Sequence, residues 1–484
     1  MKRRAFLASA ASAGLLPLAG CSVFDDSKPS TPTGTLPRTG VETPRGTAKQ
    51  YQSYDRVVRL ADRGVGEASK GRVGSIIASE LADDTLFVVP AGRHFIDPVR
   101  VNGYRNVGVV GAPNGRTTLV PTSAASETGW LFTFENGGDF EFGRFDLDFR
   151  GEDVGASLTL IATVGNLYLH NVHAFGVYPY DTYGVGVSLT DPDGEGVIEQ
   201  FIARDGSTYD SPGAGIFVAQ GHAGKLEIRD CEVWNWADNG VYASSPGYVG
   251  GFKGQTTADR GNGVVHVRGG VYKNNNIANI RIGSTYSSVR GALIRNERNP
   301  TGDTWDARRY PIMPRSGSEP DPVVNSRGIR LTNRHHQLVA DCDIVMNAGR
   351  SDGAIVANGA TGTNTIRNTR IHVDTDEVLY PINLKGPSID WRRYGFTVTG
   401  VTITGTSTAR DAAVRVQGRD DTSFENCCIS LDGGNQNGIA FENCRNCAVS
   451  NSTIDVPGQM ITTRDATVKR MKLRANGTCA ASNS

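Results

Sequence analysis

Val339-Ala340-Asp341-Cys342-Asp343-Ile344 and, 27 residues on, Ile366-Arg367-Asn368-Thr369-Arg370-Ile371 share one frame: apolar, any, Asn/Asp/Gly, any, any, apolar. The frame returns at Val398–Ile403, Phe424–Ile429 and Val449–Ile454, at spacings of 32, 26 and 25 residues. Upstream it is met at Leu169–Ala174, Ile228–Val233, Val267–Tyr272 and Val289–Ile294. Asn, Asp and Gly are the residues that accept a left-handed backbone, so the third slot reads as a tight corner between two short strands.

A second short strand precedes most of these frames: Ile216–Val218, Val241–Ala243, Ile280–Ile282, Ile329–Leu331, Ile355–Ala357, Ile382–Leu384 and Val414–Val416. Each alternates apolar with other residues, the period of a strand buried on one side. Repeats of this length, each carrying two or three short strands, stack coil upon coil around one continuous core. Division of 484 residues by about 150 per domain suggests three domains, but no linker interrupts residues 130–470 and the repeat overrides that division. The expected architecture is all-β: a right-handed parallel β-helix solenoid over residues 49–475, closed at its start by a short helix at Ser75–Leu81.

The repeat, together with Thr85-Leu86-Phe87-Val88-Val89-Pro90-Ala91-Gly92 as a first strand and turn, resembles the right-handed β-helix proteins of the pectate-lyase-like superfamily. The resemblance spans residues 52–475. It implies the fold, and a surface suited to polysaccharides, but that fold hosts lyases, hydrolases, epimerases and non-enzymes. Catalytic signatures of its branches do not transfer. Gly221-His222-Ala223 lacks the final glycine of a Gly-His-Gly, and Arg309-Tyr310-Pro311-Ile312-Met313-Pro314-Arg315 misses an Arg-x-Pro-x-x-Arg by one residue.

Composition narrows the function classes. Gly is 59 of 484 residues, above the usual ~7%, and fits a chain full of corners. Lys+Arg and Asp+Glu are 50 each, a balance that argues against a nucleic-acid partner. Residues 1–21 read as an address: Arg3-Arg4-Ala5-Phe6-Leu7 resembles a twin-arginine export signal, and Leu18-Ala19-Gly20-Cys21 resembles a lipobox. These motifs imply an exported protein at the cell surface, lipidated at Cys21 and held to the lipid bilayer. Residues 22–48, rich in Ser, Thr and Pro, read as a tether, and 476–484 as a polar tail.

Stacking converts a repeat into a surface column, because matching residues of neighbouring coils lie about 4.8 Å apart. The middle residues of the upstream strands form Phe217, Tyr242, Arg281, Arg330, Val356, Asn383 and Arg415. A second column, just ahead of the same strands, runs Asp181, Asp210, Asp238, Asn276 and Asp352. Aromatic faces stack on sugar rings and arginines pair with acidic sugars in forked geometry. Paired carboxylates supply a general acid and base, and an arginine beside a bound uronate supplies a lyase base. The candidate catalytic residues are therefore Asp210, Asp238, Arg281 and Arg330. Tyr242, Trp236, Phe217 and Asp181 are candidates for substrate contact. Long departures from the repeat at 244–262 and 296–325 flank these coils, as insertions that shape a groove do.

The expectation is an exported, lipid-anchored protein that binds and cleaves a polysaccharide, by a lyase or a hydrolase reaction. The rival is a non-catalytic glycan-binding or adhesion protein. No cofactor is required by the pattern; calcium is the one candidate. Asp191-Pro192-Asp193-Gly194-Glu195 begins like a calcium loop, but Ile202 occupies its twelfth position, so it reads as a turn. Cys427-Cys428 and Cys444-x-x-Cys447 do not converge as a zinc site, since adjacent strand residues point apart, whereas a disulfide fits an exported chain.

Overall fold

The corner residues decide the winding. Asn171, Asp230, Gly269, Gly291, Asp341, Asn368, Gly400, Asn426 and Asn451, the third slot of all nine frames, have φ between 47° and 64°. Each turns the chain from one strand to the next without the Cβ clash that larger side chains suffer there. The computed structural model describes residues 54–66, 72–151, 154–179, 181–208, 213–248, 261–298, 325–389, 391, 393–407, 411–434, 436–475, 477 and 479. The Cys21 motif, the tether and Asp210 lie outside them.

Among the described residues 37 strands form, and each pairs in parallel with its counterpart one coil away. The first residues of successive frames are register partners without slippage: Ile228 with Val267, Val267 with Val289, Val289 with Val339, Val339 with Ile366, Ile366 with Val398. The last residues do the same from Val233 through Tyr272, Ile294, Ile344 and Ile371 to Ile403. All of these side chains are buried and belong to one core. The chain is a parallel β-helix solenoid with three strand columns per coil: two flank the left-handed corner, and the third carries the upstream strands.

The capping helix spans Arg72–Ser79, a few residues ahead of its expected place. It covers the open end of the core with Val73 and Ile77, both fully buried, against strands Gly92–Ile96 and Val99–Asn102. At the other end Cys428 and Cys479 form a disulfide that ties the polar tail to the penultimate coils.

Small polar residues bind the coils internally. Cys231, Cys342 and Cys427, in one slot of the frame, each turn a thiol to a carbonyl two residues back, at 3.3, 3.2 and 3.4 Å. Burial pushes these thiols up to about 12, 12 and 11, so they are inert packing groups. His222 is fully buried between coils. The Leu189 amide donates to its Nδ1 at 3.2 Å, and its Nε2 faces the Val264 carbonyl at 3.4 Å. Burial holds its imidazole down at about 4, against an ordinary 6.5, so the folded state resists a proton the unfolded chain accepts. Stability from this site is therefore complete above pH 6.5 and falls as pH drops toward 4, by about 3 kcal/mol. In His222→Gln, urea unfolding between pH 6.5 and 4 loses that part of the slope.

Candidate functional site

The third strand column builds the site. Phe217 is the register partner of Tyr242, Tyr242 of Arg281, and Arg281 of Arg330, on strands Ile216–Val218, Val241–Ala243, Ala278–Ile282 and Arg327–Leu331. The sequence column is thus a physical column of side chains on the outer face of one sheet. Past Arg330 the column continues with Val356 and Asn383, but both are covered: Val356 is fully buried, and Asn383 donates to the Asp352 carbonyl at 2.8 Å.

Aromatic rings make the first half of the surface. Tyr183 stacks on Phe217 with ring centroids 4.8 Å apart, and Phe217 meets Tyr242 edge-on at 5.5 Å. The Arg281 guanidinium lies over the Tyr242 ring at 4.4 Å. Tyr183 has no place in the sequence columns, because it enters from the turn before strand Val185–Leu189.

Cations make the second half. Arg330 is only 8% exposed, and its Nε reaches Asn358 Oδ1 at 3.3 Å. Burial, aided by the charges of Arg327 and Arg281, holds its guanidinium well below its ordinary range. Arg281 Nε and Arg330 Nη1 are buried with no hydrogen-bond acceptor among the described residues. Donors left so need an acceptor, since an unmet buried donor is costly. Beside them Asp352 bridges Arg327 and Lys385, which hold its carboxyl down at about 2.

Asp238 is the opposite case. It is half-buried at the edge of the sheet, with Asn239 Nδ2 donating to it at 2.5 Å. Burial pushes its carboxyl up to about 7, even though the charges of Arg281 and Arg330 pull the other way. Burial, with the charges of Asp238 and then Asp181 adding to it, raises the Tyr183 hydroxyl, and burial raises the Asp181 carboxyl as well.

The sheet thus gathers Asp238, Arg281, Arg330, Tyr242 and Phe217, with Asp181 at its margin. Trp236 is a correction. It is fully buried in the core against Tyr178, at 4.9 Å between rings, and offers no stacking face. Trp234 keeps the outward face, but Asn235 at φ 62° resets the alternation and turns Trp236 inward. Asn276 is a turn residue, accepting the Asn325 amide at 2.9 Å. Asp210 lies outside the described residues. Most of the two insertions, residues 249–260 and 299–324, lies outside the described residues.

Other sites carry less. A cavity of about 320 Å³ lies on the second strand column, lined by Arg93, Arg116, Asp146, Asp148, Arg150 and Phe175. Its guanidiniums are already matched, Arg93 and Arg150 to Asp148 and Arg116 to Asp146. Asp191 takes the amides of Gly165 and Asp193 at 3.1 and 3.0 Å, the work of a turn residue. No group of three or more His, Cys, Asp or Glu able to hold a metal ion occurs among the described residues.

No family model matches this chain, and no curated protein matches it. Solved structures do resemble it. The surface protein and adhesin PfbA of Streptococcus pneumoniae aligns over 86% of this chain and 100% of its own, at 12% identity and a TM-score of 0.46. DFA-IIIase from Arthrobacter chlorophenolicus A6, in complex with GF2, aligns over 87% and 94%, at 10% identity and TM-score 0.40. The A-module of the mannuronan C-5 epimerase AlgE6 of Azotobacter vinelandii aligns over 88% and 100%, at 13% and 0.41. Likeness at this level speaks to neither reaction nor ligand.

Proposed function

We propose that this chain binds a polysaccharide along the third sheet and cleaves it, with Asp238 as general acid. The supporting observation is a single one: a half-buried carboxyl raised to about 7 beside Arg281 and Arg330, at the end of a row of sugar-sized aromatic faces. Such a group still holds a proton near neutral pH and can pass it to a glycosidic oxygen as the bond breaks. Tyr183, Phe217 and Tyr242 offer ring faces to the sugars leading into the site. The open donors of Arg281 and Arg330 suit a substrate carboxylate or sulfate. A lyase reading draws on a different observation, the burial that lowers the Arg330 guanidinium below its ordinary range and so favours the neutral form able to take a proton.

Export and attachment belong to the same reading. The paired arginines and the Leu-Ala-Gly-Cys motif support lipidation of Cys21, which places the groove outside the cell, on a tether. Cys21→Ser moves the protein from the membrane fraction to the soluble exported fraction if this holds.

The test incubates residues 49–484 with acidic and neutral polysaccharides, with and without calcium. New reducing ends that vanish in Asp238→Asn identify the hydrolase, and ultraviolet-absorbing unsaturated ends that vanish in Arg330→Ala identify the lyase. Retained glycan binding without either product identifies the adhesion protein instead.

A further inference from the structure

A second aromatic array runs along the corner where the third sheet turns into the first strand column. Tyr286 lies parallel to His336, with ring planes 7° apart and centroids at 5.4 Å. His336 meets His335 edge-on at 4.7 Å, and His335 meets Trp391 edge-on at 5.3 Å. The four rings come from three different turns, those after strands Ala278–Ile282, Arg327–Leu331 and Ile382–Leu384. They therefore step along the solenoid axis, parallel to the column that holds Arg281 and Arg330.

Two properties set this array apart from ordinary surface. Tyr286 is 63% exposed, the only aromatic among the exposed large hydrophobic side chains of the described residues. It also has φ 64°, and His336 has φ 58°. A tyrosine in this conformation carries backbone strain that glycine would not. A tyrosine kept at such a corner with its ring exposed leaves that face open to a ligand. The array is also joined to the groove. Asn358, which accepts from Arg330, begins the turn whose Ala360 carbonyl takes the Trp391 indole N–H at 2.9 Å.

We propose that Tyr286, His336, His335 and Trp391 form a ring-stacking platform that holds a length of glycan chain beside the groove, away from the bond being broken. The occupant is glycan because the rings follow the direction of the groove and present faces, with polar imidazole edges between them, instead of one apolar patch. The choice of ligand class rests on the glycan reading of the third sheet. Tyr286 and its neighbours are binding residues, and Asp238 is not among them.

Native gels cast with arabinoxylan, polygalacturonate, alginate, dextran or inulin test the platform. At least one glycan retards the wild-type chain, and Tyr286→Gly weakens that binding about tenfold. His336→Asn weakens it severalfold. Because glycine accepts φ 64° freely, Tyr286→Gly melts no lower than wild type, which separates lost binding from lost folding. Equal retardation of wild type, Tyr286→Gly and His336→Asn overturns the platform, as does retardation by none of the five. Cleavage with unchanged retardation removes the platform and keeps the cleavage reading. Lost retardation in Tyr286→Gly with no cleavage of any glycan keeps the platform and removes the cleavage reading.

Discussion

Asp238→Asn is expected to abolish cleavage and, above pH 7, to make the protein more stable than wild type. An ordinary aspartate ionises near 3.8, and this one is held at about 7. The folded state therefore keeps a proton that the unfolded chain releases between those values. Stability linked to Asp238 is complete below pH 3.8 and is lost as pH rises through 7, by about 4 kcal/mol. Asparagine fills the same space and never ionises, so the variant keeps its stability through that range. Urea unfolding of both proteins from pH 5 to 9 checks this. Curves that stay parallel across the range mean that Asp238 ionises normally, and the general-acid role falls with it. His222 titrates with the opposite sign over much of the same range, so the two contributions offset each other in wild type and separate in the single variants.

Arg419→Ala is expected to cost about 3–5 kcal/mol, because it strips donors from carbonyls that are out of reach of water. Arg419 is fully buried, and burial pulls its guanidinium down to about 9. Its partners are neutral oxygens: Lys385 O at 2.8 Å, Asn358 O at 2.9 Å, Thr361 O at 3.1 Å and Tyr394 O at 3.2 Å, with Thr361 Oγ1 at 2.9 Å. It also lies 5.0 Å from the Phe396 ring centre. One side chain thus clamps three successive turns, including the one that positions Asn358 against Arg330. Arg419→Lys, with fewer donors and no planar fork, recovers only part of the loss. Hydrogen exchange at 358–361 and 385–396 should quicken before the rest of the solenoid does. Uniform loosening of all coils would show that the clamp is not local.

Much of the winding is legible in the sequence because stacking asks the same thing of every coil. The corner needs a residue that tolerates positive φ, and the inner positions need apolar side chains, so both recur at fixed places. Some coils escape this reading: Ile198-Glu199-Gln200 has a glutamine in the corner slot, at φ 53°, and still pairs between Leu169 and Ile228, and Arg144 fills the slot in the coil before that of Leu169, at φ 62°. The column from Phe217 to Arg330 is equally legible, since register turns repeat position into neighbourhood. What the repeat does not encode is anything delivered by turns. Tyr183, Lys385, Asn358 and the Tyr286–Trp391 array all come from connections whose lengths vary between coils. The placement of Trp236 also hung on a turn, as one left-handed asparagine reversed its direction. Raised and lowered carboxyls were not legible at all, because Asp238 and Asp352 share a slot in the sequence and differ only in the cations that touch them.

The unbroken register has a consequence for inheritance. Because each strand pairs only with its counterparts one coil away, a coil is the natural unit in which this protein can lengthen or shorten. Loss of one whole repeat rejoins like to like, and the core closes over the gap. The array of charges and rings on the outer face would then be re-dealt, with Arg330 brought beside Tyr242 or Asn383 beside Arg330. New pairings of chemistry on the groove can thus arise by editing length alone, with no change to any residue that remains.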